Sequence, residues 1–548
     1  MRRLIRVTIL FVILTTAVDS QAADGSAFVP YNDPVYGFLD RCSARGFIPI
    51  TAVFHKPLQR SVVGRWLMDA ATRFPELHDR VLEADLKYFL QEFAWDVEKF
   101  PDTSASGRRL RTVGFNPGAA LAQPHRHLSS FRSDEFQFVF DPVGWFRVDA
   151  GSDKTIIRRA AGITFRGDYA GRVGYYFRFV DNTERGNGRY YSRAQLWDDH
   201  FGYVGPLTGG KETYYDLTEA HLAFGWRALT FTFGKDVNVW GAGRQTNLLL
   251  SANAPSYDQM RMTVKLGDKA RYIYVVGKLT PGDVPEDTLY ITNDGWVRIS
   301  TADKWLAAHR LEYSPFPIMS LAVNEAIVWG ERGVDWGYLN PINFYYSAGH
   351  NGEDRDNLLM SGDFVLRLLS RGFLYGELLI DDLSVNKLGG GYAGNKYSVS
   401  GGLWISDLSA DGLEMGLEYT RVQPFVYSHF YPVNRFTNWT SGLGTDVKPN
   451  SDRWTAEFTY RPIRKIGFDM TVSRNRHGDF GGDIGEPLPR NLQRDVRFLD
   501  DGRREWSEMQ INASLEVRTG LIIKAGWGKR DPLSIVSESY YMSAGYRF

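Results

Sequence analysis

Alternation at period two, sustained over many stretches, is the feature that most narrows what this chain can fold into. In the C-terminal stretch 538–548, Tyr540, Met542, Ala544, Tyr546 and Phe548 share one face of a strand, while Tyr541, Ser543, Gly545 and Arg547 share the other. Val173, Tyr175, Phe177 and Phe179 alternate with Gly174, Tyr176 and Arg178, and Leu229, Phe231 and Phe233 with Thr230, Thr232 and Gly234. Leu413, Met415, Leu417 and Tyr419 alternate with Glu414, Gly416 and Glu418; Trp454, Ala456, Phe458 and Tyr460 do so with Thr455, Glu457 and Thr459. A strand of about 9–11 residues with one apolar and one polar face suits a transmembrane β-barrel, because lipid touches only the outside. Roughly 16–20 such strands follow one another, with short connectors such as Ser370-Arg371-Gly372 and Ala410-Asp411. A soluble sandwich seldom uses so many long strands in one domain. The expectation is a mainly β chain: a large transmembrane antiparallel β-barrel over residues 131–548.

The start of the chain reads differently. Arg2, Arg3 and Arg6 precede the apolar run Leu10–Leu14, and Ser20 and Ala22 give a small-x-small cleavage pattern. Residues 1–22 are therefore expected to be a signal peptide, with the mature chain starting near Ala23. Ala23, not a cysteine, stands directly after that site, which speaks against a lipid anchor. Residues 23–105 read as a small α-helical bundle. Asp33-Pro34 suits a helix start, Val35, Phe38, Leu39 and Cys42 recur at helical spacing, and Gly46 offers a stop. A second helix carries Val62, Trp66, Leu67, Ala70, Ala71 and Phe74; a third carries Leu82, Leu86, Phe89, Phe93, Val97 and Phe100. Residues 106–130, small and polar, read as a linker. At the other end, Phe548 closes its strand with the kind of terminal aromatic residue that barrel-assembly machinery reads in outer-membrane proteins.

Composition removes several classes. The 64 basic and 64 acidic residues cancel, which argues against a nucleic-acid partner. The 15 Trp, 29 Tyr and 34 Phe are what the aromatic girdles of a barrel require. The single cysteine, Cys42, permits no internal disulfide and no Cys-ligated metal, and its apolar spacing makes it a core residue. Scattered histidines suggest no metal set, and no cofactor is expected.

Longer polar stretches, at 182–211, 237–258, 281–303, 330–355, 423–451 and 476–504, are expected as loops outside the cell. The inward positions of the strands carry Arg178, Glu219, His221, Glu377, Asp381, Glu414, Glu418 and Glu457, and Arg310 and Glu312 share a face. Such charges suit a wet lumen. They read either as ion pairs that stiffen the barrel or as a selectivity lining for a permeating solute.

The segment Phe231–Met262, FTFGKDVNVWGAGRQTNLLLSANAPSYDQMRM, is more particular than barrel sequence in general. It resembles the Wzi-like capsule-assembly family of outer-membrane proteins, as do Lys304–Glu312 and the run from Asn324 through Trp329-Gly330 to Asn340-Pro341. The opening, with Asn32–Tyr36 and Lys56-Pro57, is similar to that family's too. The resemblance implies an 18-stranded barrel in a Gram-negative outer membrane, preceded by a periplasmic helical bundle. It also implies a surface lectin that holds capsular polysaccharide, with outer-membrane lipids and polysaccharide-export machinery as further partners.

A sugar site needs aromatic platforms flanked by polar side chains. Trp240, Arg244, Asn247 and Asn253 offer these in one loop; Trp329, Trp336, Tyr338, Asn340, Asn343, Tyr345 and Tyr346 offer them in another. The competing reading of the first loop is structural, since Gly241, Gly243 and Pro255 suggest a tight turn whose Arg244 and Asn247 bind its own backbone. Catalysis has less support. The cluster Ser347–Gly352 shows no nucleophile spacing, and the adjacent pairs Asp381-Asp382 and Asp500-Asp501 would point to opposite faces of a strand. The expected role is non-enzymatic binding or organisation of surface polysaccharide. A passive or substrate-selective pore, and more remotely a lipid-modifying enzyme, are the alternatives.

Overall fold

The computed structural model describes residues 25–73, 79–97, 127–133, 135–151, 155–192, 196, 202–282, 288–291, 297–352, 354–388, 391–492, 495–532 and 537–546. The expected signal peptide, most of the linker, Phe74, Phe100 and the terminal Phe548 lie outside the described residues.

Eighteen antiparallel strands close into a barrel. In chain order they are β1 (Phe136–Gly151), β2 (Thr155–Tyr169), β3 (Val173–Tyr190), β4 (Gly210–Trp226), β5 (Leu229–Asp236), β6 (Tyr257–Leu266), β7 (Ala270–Leu279), β8 (Lys304–Phe316) and β9 (Met319–Gly330). The second half comprises β10 (Asn357–Leu368), β11 (Gly372–Asp382), β12 (Lys396–Ser406), β13 (Leu413–Val422), β14 (Ser451–Ile463), β15 (Ile466–His477), β16 (Arg504–Arg518), β17 (Leu521–Pro532) and β18 (Ser537–Tyr546). Closure is by β18 on β1, in register from Ser539 opposite Gly151 to Tyr546 opposite Gly144. A short strand, Ser129–Arg132, pairs with the start of β1 just before it. Closure leaves no exposed sheet edge, which is the condition for crossing a bilayer with strands.

The alternation read from the sequence is the alternation of the wall. Met415, Leu417, Trp454 and Phe458 are exposed on the outside, whereas Glu414, Glu418 and Thr455 are buried within. Connections of a few residues, such as 227–228, 267–269, 317–318 and 464–465, alternate with long ones, so all the long connections leave from one end. The wall is uneven: β3 and β4 have 18 and 17 residues, β5 only 8.

The N-terminal helices sit at the short-turn end. Helix α1 (Val35–Ala44) begins where the Asp33 carboxylate accepts the Val35 amide at 2.8 Å, and ends at Gly46, whose φ of +78° suits glycine. Helix α2 (Arg60–Arg73) and helix α3 (Arg80–Glu92) follow, α3 being capped by the Asp79 carboxylate on the Val81 and Leu82 amides. The third helix expected from the periodicity breaks at Phe93, and one further turn, α4, spans Ala94–Val97. Phe38, Leu39, Cys42, Leu67, Leu86, Phe89 and Phe93 form a common core.

Charged contacts dock this bundle on the barrel. Arg41 is fully buried and reaches Asp79 and Asp85 within the bundle, and Asp407 in the β12–β13 turn at 3.2 Å. Arg461 of β14 returns the contact to Asp85 at 3.0 Å. Beyond α1 the chain enters the lumen. The Phe54 ring lies 4.4 Å under the Arg310 guanidinium, and its carbonyl accepts from Arg310 at 3.1 Å.

The adjacent carboxylates Asp381 and Asp382 depart from the expectation of opposite faces. The register of β11 against β12 shifts between Ile380 and Asp382, and this irregularity brings both within 2.8 Å of the Lys396 ammonium.

Candidate functional site

The connection between β5 and β6, residues 237–256, does not project from the barrel as expected but folds down into the lumen. Val239 and Trp240 pair as a short antiparallel ladder with Lys56 and His55, so a loop from one end meets the N-terminal segment from the other. The turn that makes this possible is at Gly241, with φ of +115° and an amide donating to the Phe54 carbonyl at 3.1 Å. The three leucines Leu248–Leu250 are fully buried against Val426, Tyr427, Phe436 and Leu443 of the β13–β14 connection. Their burial supplies the driving force for folding inward.

The lumen charges are the sockets for this loop. Glu377 accepts the Leu248 amide at 2.7 Å and the Leu249 amide at 3.2 Å. Glu418 accepts the Arg244 and Gln245 amides and the Thr246 hydroxyl, the last at 2.7 Å. Arg244 reaches Glu457 at 2.5 Å and Asp40 of α1 at 3.1 Å, with Glu414 nearby and the Trp404 ring 4.7 Å below. Burial disfavours its charge, but Glu457, Asp40 and Glu414 outweigh that and raise the guanidinium above its ordinary value. Elsewhere on the inner wall, Arg310 binds Glu312 and Asp363 at 2.8 Å each, and Arg178 faces Glu219 at 3.7 Å.

These contacts place the first group of candidates. Trp240 is 0% exposed and Asn247 is buried, so neither presents a surface to a sugar in this conformation. Arg244 is committed to carboxylates, and Asn253 donates to the Gly442 carbonyl at 2.9 Å.

The second group lies on the other side of the wall. Residues 331–356 leave β9 and turn down over the barrel's outer surface as α5 (Trp336–Leu339) and α6 (Tyr345–Asn351). Tyr338 and Tyr345 pack with Trp329 on the outward residues Tyr274, Val276, Ala307 and Ile327. The reason for this cover is polar as well as apolar. Glu325 of β9 points outward beside His309 at 3.0 Å, and accepts the amides of Tyr345 and Tyr346 at 2.9 Å each. A bare carboxylate on that face would be costly in lipid. Asn343 donates to Gly337, while Trp336, Asn340 and Tyr346 stay exposed. The structure therefore does not bring the two candidate groups together: one fills the lumen, the other clothes the outside. Ser347 and His350 are exposed on α6, His350 Nδ1 lying 2.7 Å from the Tyr346 carbonyl oxygen.

A third cluster, at the loop end, was not singled out from the sequence. In the β13–β14 connection His429 stacks on Phe430 at 4.3 Å, and Phe430 lies 4.6 Å from Tyr431. Phe430 and Tyr431 are exposed, and Arg490 of the β15–β16 connection approaches the Phe430 ring at 5.5 Å. His429 Nδ1 accepts the Tyr431 amide at 3.1 Å, and Arg435 fixes the neighbouring loop by donating to the Gly485 carbonyl at 2.7 Å. Burial, with the Lys396 charge, pushes His429 down to about 4, so it is neutral at pH 7. The signal available in the sequence was the run His429-Phe430-Tyr431 just before Pro432, an aromatic stretch too short to be a strand.

Comparisons with known proteins agree with this architecture. No curated protein sequence matches the chain. The solved structure of Wzi from Escherichia coli, described as an outer-membrane, carbohydrate-binding β-barrel involved in group 1 capsule assembly, superposes with a TM-score of 0.57 at 13% identity. That match covers 94% of this chain and 99% of the other. OccK5 (OpdH) of Pseudomonas aeruginosa gives a TM-score of 0.43 at 10% identity, covering 75% and 98%. The sequence model of the family described as capsule assembly protein Wzi matches residues 174–516, from β3 into β16, and the chain belongs to that family.

Proposed function

We propose that this protein sits in the outer membrane and holds surface polysaccharide at its loop end, with the helical bundle in the periplasm. The observation that carries the reading is the exposed pair Phe430 and Tyr431, flanked by Arg490 on a second loop. Aromatic faces receive the apolar C–H faces of sugar rings, and a guanidinium supplies forked donors to hydroxyls or carboxylates. The E. coli relative, described as a carbohydrate-binding barrel, supports the same class of ligand. Trp336, Asn340 and Tyr346, exposed on the outer wall away from this cluster, take no part in it, while the buried candidates of the inserted loop serve it by holding the loops. The bundle is the part positioned to meet export machinery.

The test is retention of purified capsular polysaccharides, acidic and neutral, on immobilised protein. The double substitution of Phe430 and Tyr431 by alanine is expected to weaken binding at least tenfold, about 1.4 kcal/mol, with the barrel still heat-modifiable on gels. Unchanged retention by the folded variant removes this cluster from the site.

One observation favours a second reading, selective passage. A cavity of about 640 Å³ lies between the bundle and the inner wall, its lining richer in cations (Arg147, Arg158, Arg166, Arg178, Lys524) than in carboxylates (Asp33, Glu92, Asp141). Anion-selective conductance in planar bilayers would support it; a silent barrel that retains glycan supports the first reading.

A further inference from the structure

The segment 331–356 lies against the outward face of the wall, and much of its backbone is paired within the segment or by wall side chains. The amides of Tyr338 and Leu339 go to the Asp335 carbonyl, that of Asn343 to the Asn340 carbonyl, and that of Ala348 to the Phe344 carbonyl. The Gly337 and Ile342 amides go to the side chains of Asp335 and Asn340 at 2.8 and 3.2 Å. The Tyr338 carbonyl accepts the Tyr274 hydroxyl at 3.0 Å, and the Pro341 carbonyl accepts that of Tyr272. Such pairing lowers the cost of placing non-strand backbone at membrane depth.

Apart from Asn340, the large side chains that point away from the barrel are apolar or aromatic. Trp336 is 84% and Ile342 78% exposed, and Phe344 and Tyr346 are exposed beside them. The depth is fixed by Glu325, which holds the start of α6 and stands midway along β9, well below its loop-side end at Gly330. The surface is continuous with the lipid-facing residues Phe231 and Met260 of the wall, and a groove of about 410 Å³ runs between them, bordered by Met262, Tyr274, Trp336 and Leu339. Charged residues flank this stretch, with Glu331, Arg332 and Asp335 before it and His350, Asp354 and Arg355 on the return toward β10.

We propose that residues 336–346 form a lipid-embedded sleeve on the barrel exterior, seating acyl chains of the loop-side leaflet against Trp336, Leu339, Ile342 and Phe344. The inference rests on the barrel spanning a membrane and is independent of the polysaccharide reading. Lipid chains are the occupant because the face continues the wall's own lipid-facing band and carries no charged side chain between Trp336 and Tyr346.

The experiment uses the full-length protein with Cys42→Ser, carrying single cysteines at Trp336, Leu339 or Ile342, spin-labelled and reconstituted into phosphatidylethanolamine–phosphatidylglycerol liposomes. Phe233→Cys reports the wall and Lys448→Cys, on an exposed loop, reports water. The expected result is that labels at 336, 339 and 342 collide with dissolved oxygen several-fold more than with a water-soluble nickel chelate, as at 233. Collision behaviour like that at 448 overturns the sleeve. Dipolar broadening between labels at low protein density assigns the face to a second copy and overturns lipid occupancy. Heat-modifiable mobility of each variant certifies folding, and labels at two separate exposed positions guard against a single misfolded variant.

Discussion

Arg244 places Nη1 3.1 Å from Asp40 Oδ2, joining a loop that enters from one end of the barrel to the first helix at the other. The two residues are 204 positions apart, and the same guanidinium binds Glu457 of the wall. Replacing Arg244 by alanine leaves three carboxylates facing one another. The expected outcome is a loss of about 3 kcal/mol in stability and larger single-channel currents, measured by thermal melting and in planar bilayers.

Arg310 is fully buried between Glu312 and Asp363. Arg310→Met is expected to destabilise the barrel by about 3–5 kcal/mol, because it strands buried charge. Adding Asp363→Leu is expected to recover part of that loss. Folding yield from urea, read by gel mobility, checks both.

At Gly241 an added Cβ would meet the Asn247 amide oxygen at 2.7 Å, and φ is +115°. Gly241→Ala is expected to cost about 1–3 kcal/mol and to expose residues 237–256 to protease while leaving the wall intact. Limited proteolysis with mass analysis reads this directly.

Asp407 accepts from both Arg41 and Arg45 of the bundle, at 3.2 and 2.8 Å. Asp407→Asn is expected to loosen the bundle, raising the cleavage rate within residues 25–97 severalfold. The barrel core should remain protease-resistant.

The pH response of the loop end has a definite sign. His429 is pushed down from its ordinary value of 6.5 to about 4, chiefly by burial and next by Lys396. Between those values the unfolded loop takes up the proton more readily. Its contribution is therefore full above pH 6.5 and falls away as pH drops toward 4, by about 3 kcal/mol at most. Protonation also removes the Nδ1 acceptor that holds the Tyr431 amide. Glycan retention is expected to be flat from pH 7 to 8 and to decline below 6.5, with a flatter profile for His429→Gln.

The wall was legible in the sequence because period two leaves no freedom: Leu417 and Glu418 must face opposite ways, and one face must be greasy. The bundle was legible for the same reason at period 3.6, except that the helix containing Leu82 and Leu86 breaks at Phe93. Loop direction was not legible. Nothing local in NLLLS states that its leucines bury in the lumen, since their partners, Val426, Tyr427 and Phe436, lie some 180 residues on. Likewise nothing local in the sequence states that the outward carboxylate of Glu325 is covered by the amides of Tyr345 and Tyr346. The exposed cluster at Phe430 depends on Arg490 arriving from another loop, a meeting that only tertiary structure reveals.

The ladder of His55–Lys56 with Val239–Trp240 acts as a tie-rod through the axis of the barrel. A polymer chain hauling on the outer rim would strain the inserted loop, and through that splice and Arg244 the load would arrive at α1 on the far side. Traction on that rim would thereby be felt at the opposite end of the barrel, with no passage needing to open.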